Sequence, residues 1–282
     1  MEMAKTKMTR TVSWMLALGL AVGCCGAPRF TWQRFEMDGS RTGVGIPTAD
    51  NVSEAIGTVE DGVYTAPNGR VFRDGATPLV AEKLIAVQPD MRRLKEVIGQ
   101  SARYMDKPDD CVEFGLGNLI ADAMLATCQE LTGKKADVSL QNFGGIRVDM
   151  PEGAITLDVV ESMLPFRNYL TIVDVKGADL RKIFAQFAGT PLCVGGARLV
   201  LEGGALADVT VGGAPLQDQK TYAVVTTSFL LDGGDGYAIA KDAVRMNEYP
   251  VLMKEMFERY IRSMTAENKV VDAEVDGRVT KR

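Results

Sequence analysis

Between Cys111 and about Tyr260, apolar segments of helical spacing alternate with short runs of β-branched residues, and a glycine or proline loop marks each change. Leu116 to Leu125 carries apolar residues at helical spacing, with Asp122 pointing outward. Asp137 to Asn142 reads as a short buried strand entering a glycine turn. Thr156 starts a helix through Leu157, Val160, Met163 and Leu164 that Pro165 ends, and Tyr169 to Val175 alternates as a strand. Ala178 to Phe187 is amphipathic, Ala197–Leu201 and Asp208–Val211 suit a strand pair, and Tyr222–Ser228 is a strand ending at Phe229. Such alternation predicts an α/β domain with helices layered on sheet.

The residues before this body are different in kind. From 26 to about 80 the chain is rich in Gly, Thr, Asp and Pro, which suggests a tether with short strands near Gly62-Val63-Tyr64 and Arg70-Val71-Phe72. Val80, Leu84, Ile85, Met91, Leu94 and Ile98 are spaced for a helix-like stretch that Pro89-Asp90 must interrupt.

One count removes much chemistry: the sequence has no histidine. Ser-His-Asp and Cys-His nucleophilic sites have no base, and zinc–water chemistry loses its usual nitrogen ligands. Carboxylate or lysine acid–base work, an all-oxygen Mg or Ca site, and binding without catalysis remain. The formal net charge of -5, from 32 Lys+Arg against 37 Asp+Glu, makes a nucleic-acid polymer a poor partner.

At the N-terminus Lys5, Lys7 and Arg10 precede an apolar run from Val12 to Gly23, too short to span a membrane. Ala21-Val22-Gly23-Cys24 resembles a bacterial lipobox, with residues 1–23 as signal peptide and Cys24 as the lipidated mature terminus. Ala21 stands where that pattern usually has Leu, so a plain cleavable signal is the alternative. Either way the expectation is an exported chain, periplasmic or in the cell envelope, with Cys24 giving a lipid anchor to a membrane. Of the five cysteines, Cys111, Cys128 and Cys193 lie in the body, where they read as small core residues with at most one disulfide.

Three loops collect chemistry. Asn142-Phe143-Gly144-Gly145-Ile146-Arg147 pairs a tight backbone turn with a five-donor guanidinium, or is a plain turn with a surface Arg. Leu164-Pro165-Phe166-Arg167-Asn168 presents an aromatic, a cation and an amide, or simply a buried Phe beside a solvated Arg. Phe229 to Tyr237 sets an aromatic at each end of an acidic glycine loop, suited to clasping a flat ring while a carboxylate bonds hydroxyls. The spacing of an EF-hand is absent, as are GxxxxGK[ST] and GxGxxG.

Taken in order, these motifs carry more. Leu116-Gly117-Asn118-Leu119-Ile120-Ala121-Asp122-Ala123, Asn142-x-Gly-Gly-Ile-Arg147, Leu164-Pro165-Phe166-x-Asn168, Val194-Gly195-Gly196 and Phe229-Leu230-x-x-Gly-Gly-Asp235-Gly236-Tyr237 together resemble one family. It is the C-terminal, substrate-recognising domain of the 5′-nucleotidase / UDP-sugar hydrolase family, over residues 95–265. The resemblance implies a layered α/β/α/β domain of the 5′-nucleotidase C-terminal type, flanked by an extension over 24–94 and a tail over 266–282. It also implies that Phe166 and Phe229 stack a base, that Asn168 reads the base edge, and that Asp235 holds ribose hydroxyls. Arg147 and Asn142 would face the phosphate side, and Gly196 would keep the pocket wall close to the ligand.

In the family's two-domain enzymes a metallophosphoesterase domain with a two-metal centre cleaves the phosphoester. A chain without histidine cannot build that centre. The expectation is therefore a recognition domain for nucleotide catabolism, non-catalytic alone and with no cofactor of its own. Divalent metals would sit in a separately encoded metallophosphatase chain. The alternative is an exported nucleoside-binding lipoprotein without a catalytic partner; a third reading keeps the fold while the site takes another ligand. Two departures bear on phosphate. Asp109-Asp110-Cys111-Val112-Glu113-Phe114 is acidic where the family usually has Arg, which predicts repulsion of an anion by Asp110 and Glu113. Arg167 occupies a position that is often small, and is expected to replace part of the missing cation.

Overall fold

The computed structural model describes residues 47–186, 192–237 and 239–282. The signal peptide, Cys24 and Phe187 lie outside the described residues. Contacts divide the chain into two units: one takes in residues 51–85, the other residues 48–50 and 86–282.

The first unit has more structure than a tether. Helix α1 (Val52–Ala55) leads into an antiparallel meander of β1 (Thr58–Glu60), β2 (Val63–Thr65) and β3 (Val71–Phe72), and α2 (Ala76–Val87) follows. Asp61 and Gly62 join β1 to β2 with φ of 48° and 76°, the positive pair that a two-residue hairpin turn demands. Tyr64 and Phe72 stack across the sheet with ring centroids 5.7 Å apart. The two short strands fall where the sequence places them. The long helix-like stretch does not persist: α2 stops at Val87 and a 3-10 run occupies Pro89–Lys95. Proline has no N–H to donate and its ring clashes with the carbonyl four residues back, so the α-helix cannot cross it. Ile98 then falls in a strand, β4 (Val97–Ser101).

In the second unit α3 (Gly115–Thr132) is followed by β5 (Val138–Asn142), β6 (Gly153–Thr156), α4 (Leu157–Met163), β7 (Tyr169–Lys176) and α5 (Gly177–Gln186). Then come β8 (Leu192–Gly195), β9 (Ala197–Glu202), β10 (Ala205–Val211), β11 (Ala214–Pro215) and β12 (Thr221–Thr227). The unit closes with α6 (Ser228–Leu231), β13 (Ala243–Leu252), α7 (Met253–Ala266) and β14 (Val279–Lys281). Its main sheet has the order β13-β7-β12-β5-β8, with β12 and β5 parallel and the other neighbours antiparallel.

Both faces of this sheet are covered, which is why all five residues of β5 are buried. On one face Leu170, Ile172 and Val225 pack with Leu116, Ile120 and Met124 of α3 and Phe257 and Ile261 of α7. On the other, Val138, Leu140, Val173 and Val224 meet Leu180 and Phe184 of α5 and the second sheet, β11-β10-β9-β14, through Leu199 and Val209. The order helix, sheet, helix, sheet is the layered α/β arrangement that the sequence implies.

Residues 266–282 are part of this fold rather than a tail. Val271 exchanges backbone hydrogen bonds with the β4 segment, to Gln100 O at 2.7 Å and from Ala102 at 2.9 Å. β14 adds a parallel strand beside β9. Arg278, with its side chain 12% exposed, clasps Asp122 through two bonds of 2.7 and 2.9 Å and also bonds Asp276 and Val194 O. Burial opposes the Arg278 charge, but the hydrogen bonds it donates to Asp122 and Asp276 outweigh it and move its pKa up.

Candidate functional site

The end of β5 supplies the first wall of a cleft. Strand and loop meet at Asn142, and Phe143–Gly145 make one 3-10 turn that buried Ile146 anchors below. The Arg147 backbone then donates to Met163 O at 2.9 Å, tying this loop to the end of α4. Pro165 forbids another helical turn, so the chain leaves α4 with Phe166 exposed and Asn168 beside it. Asn168 O accepts the Met253 N–H at 2.9 Å, which fixes this second wall against the start of α7.

The third wall follows β12. Thr227 caps α6 by accepting the Leu230 N–H at 3.2 Å, and Ser228 Oγ accepts the Tyr169 N–H at 3.0 Å. Phe229 is thereby presented outward while Leu230 is wholly buried. Gly234 lets the ring lie flat on the next loop: a Cβ there would fall 2.4 Å from Phe229. Asp235 adopts φ 54°, a conformation that aspartate tolerates better than most residues. Its Oδ2 accepts Asn142 Nδ2 at 2.8 Å, joining the third wall to the first.

These walls enclose a cleft of about 280 Å³ lined by Asn142, Gly144, Gly145, Arg147, Phe166, Asn168, Phe229 and Asp235. Six sequence-predicted residues thus converge: Asn142, Arg147, Phe166, Asn168, Phe229 and Asp235. Phe166 and Phe229 are 46% and 38% exposed, unusual for rings so large, and so present faces to an incoming group. The Arg147 guanidinium lies 5.9 Å from the Phe166 ring centroid and donates to Gly144 O at 3.1 Å. The arrangement offers two ring faces, an amide, one cation and one carboxylate. It can hold a flat polar ring that carries hydroxyls and an anion.

Two expected members are elsewhere. Gly196 turns the chain from β8 into β9 at φ 73°, where a Cβ would fall 2.1 Å from Asp137 O. It lines a different cavity, about 210 Å³, with Asp122, Arg198, Asp276 and Arg278. Arg167 does not line the cleft either: it is exposed and hydrogen-bonded to the Tyr169 side chain, which raises its pKa. The cation of the cleft is Arg147. Tyr237, the second aromatic of the glycine loop, is 5% exposed and packs into the second core instead of lining the cleft.

Within the acidic stretch before α3, Asp110 is exposed and Glu113 has another destination. Glu113 is buried and accepts from Asn118 Nδ2 at 2.8 Å, Asp276 N at 2.9 Å and Val279 N at 3.1 Å. Its charge is spent on the C-terminal segment and does not face the cleft. Cys128 and Cys193 are buried and Cys111 is half-buried, all as free thiols, and burial pushes each thiol pKa up. Among the described residues no group of three or more His, Cys, Asp or Glu side chains could hold a metal ion. With no imidazole in the sequence, the donor set does not fit a two-metal centre rich in histidine. Gly144 and Gly145 complete the lining; the paired glycines after β5 were the signal for them.

Fold and cleft together define a layered α/β domain with a cleft that offers two aromatic faces at the loop ends of its main sheet. The family model for the 5′-nucleotidase, C-terminal domain, matches residues 97–242, and the chain belongs to this family. Over 202 residues it is 30% identical to the cell wall protein Lmo0130 of Listeria monocytogenes, covering 65% of this chain and 26% of that one. It is 26% identical over 253 residues to human 5′-nucleotidase, covering 75% of this chain and 43% of the relative. The solved structure of a 5′-nucleotidase precursor from Thermus thermophilus superposes with a TM-score of 0.63 at 31% identity, over 72% of this chain and 43% of that one. The chain therefore spans less than half the length of each of these relatives.

Proposed function

We propose that this domain recognises a nucleoside or nucleotide for a 5′-nucleotidase-type hydrolysis whose metal centre is supplied by a separate metallophosphatase chain. The observation that carries the reading is the convergence of exposed Phe166 and Phe229 on one cleft with Arg147, Asn168 and Asp235. In this reading the base slides between the two rings, and Asn168 donates to or accepts from its edge. Asp235 accepts from sugar hydroxyls while Asn142 holds its other oxygen. Arg147 faces the phosphate. Stacking of this kind is worth about 1–3 kcal/mol per base, which gives affinity and orientation without chemistry. The partner would contribute the divalent metals and the attacking water, for which the described residues offer no fitting group of ligands. Signal and lipobox patterns over residues 1–24 support export and anchoring of the chain at the cell envelope through Cys24.

Calorimetric titration of the purified chain with adenosine, AMP and UDP-glucose tests this directly. Micromolar binding of at least one, lost in Phe229→Ala, is the expected result. Absence of heat with all three would remove the recognition role. Binding to the wild type with no acceleration of AMP hydrolysis on adding an exported metallophosphatase would leave the nucleoside-binding lipoprotein in its place.

A further inference from the structure

The carboxylate of the cleft is held by a side chain that is itself held from behind. Asn142 donates to Asp235 Oδ2 at 2.8 Å, and its amide oxygen accepts from Gln141 Nε2 at 3.3 Å. Gln141 is 1% exposed on the inner side of β5 and also donates to Asn142 O at 3.3 Å. Its own Oε1 is buried without a partner among the described residues. An unpaired amide oxygen in the interior is a cost that an apolar side chain of the same length would not carry. The sense of the amide is settled by its surroundings, because turning it over would set Oε1 against two oxygens of Asn142. Gly145 makes the room: a Cβ there would fall 2.2 Å from Gln141 Nε2 and 2.7 Å from Asn142 Oδ1.

We propose that Gln141, outside the cleft, is a positioning residue that sets the Asn142 amide so that Asp235 meets sugar hydroxyls with one oxygen anchored and the other open. This rests on the nucleoside reading above. A packing role alone does not account for Gln141, since its oxygen has no partner among the described residues where methionine would fill the same space. The relay of donors runs one way, from Gln141 to Asn142 to Asp235, and ends on the group with spare acceptor capacity.

The experiment compares wild type with Gln141→Met by two readouts. The first is hydrogen exchange of the Asn142 side-chain amide by NMR, assigned through its loss in Asn142→Ala. The second is affinity for adenosine against 2′-deoxyadenosine. The proposal expects an unchanged or higher Tm, faster exchange of the Asn142 amide, and about a fivefold smaller preference for adenosine. The affinity for 2′-deoxyadenosine should stay as it was. Equal losses for both nucleosides, or unaltered Asn142 exchange, would overturn it. If the wild type binds neither nucleoside, the nucleoside reading and the sugar half of the proposal both fall. The exchange readout then decides whether Gln141 orders Asn142 at all.

Discussion

The cleft and the C-terminal clasp are built from similar parts and use them in opposite ways. Each has an arginine and a carboxylate and each borders a cavity, about 280 Å³ in one and 210 Å³ in the other. In the clasp the donors are consumed: the Arg278 guanidinium spends all its N–H groups on Asp122, Asp276 and Val194 O, and both Glu113 oxygens accept. In the cleft capacity is left over. Among the described residues Arg147 donates to one carbonyl and Asp235 accepts from one amide. Saturated polar groups hold a fold together, whereas spare ones at a concave surface with bare aromatic faces await a ligand.

The sharpest way to break this contrast is to cut the clasp. Glu113→Ala takes from the Asp276 and Val279 N–H groups the acceptor they share, and leaves the Asn118 amide only Glu274 O. It should lower stability by about 3 kcal/mol, read as a fall in Tm of roughly 6–12 °C. Nucleoside affinity of the folded protein should not move. Phe229→Ala should do the reverse, with Tm within a degree or so of wild type and adenosine binding weaker by about tenfold or more. A large drop in Tm there would make the ring structural and spoil the comparison.

Smaller effects sharpen it. Arg147→Ala should weaken AMP more than adenosine, by about 1 kcal/mol for an exposed cation, while Arg167→Ala should treat the two ligands alike. Acid should act on the clasp. The Arg278 hydrogen bond holds the Asp276 carboxyl below its usual 3.8. A carboxyl with a depressed folded value contributes stability above its unfolded pKa and loses it as pH falls through the folded one. Melting curves should therefore show Asp276→Asn costing stability at pH 7, with the cost shrinking as pH falls below the usual carboxylate range. The effect is small, because the side chain is 43% exposed.

What the sequence reveals follows how local the physics is. β5 and its glycine loop are legible because a short strand of uncharged residues buried on both faces ends at paired glycines, all within ten residues. Pro165 and Thr227 announce how Phe166 and Phe229 are presented, since helix ends are local events. Glu113 misleads because two of its three partners lie 163 and 166 positions away, so an apparently solvated acid is in fact a buried acceptor. The segment after Ala266 has no periodicity to read: β14 is three residues long and takes its place from β9. Tyr237 and Phe229 look equivalent at the two ends of one loop, and only the packing of the second core separates a buried ring from an exposed one. Gly196 is required by the turn at Asp137, a contact between segments 59 residues apart that spacing alone does not disclose.

The central claim is that a base is sandwiched between Phe166 and Phe229. Proton NMR of adenosine titrated with the protein tests it most directly, through the base H2 and H8 resonances. Stacking between two rings predicts upfield ring-current shifts for both protons, lost in Phe166→Ala or Phe229→Ala. Binding that leaves both resonances in place would contradict the account.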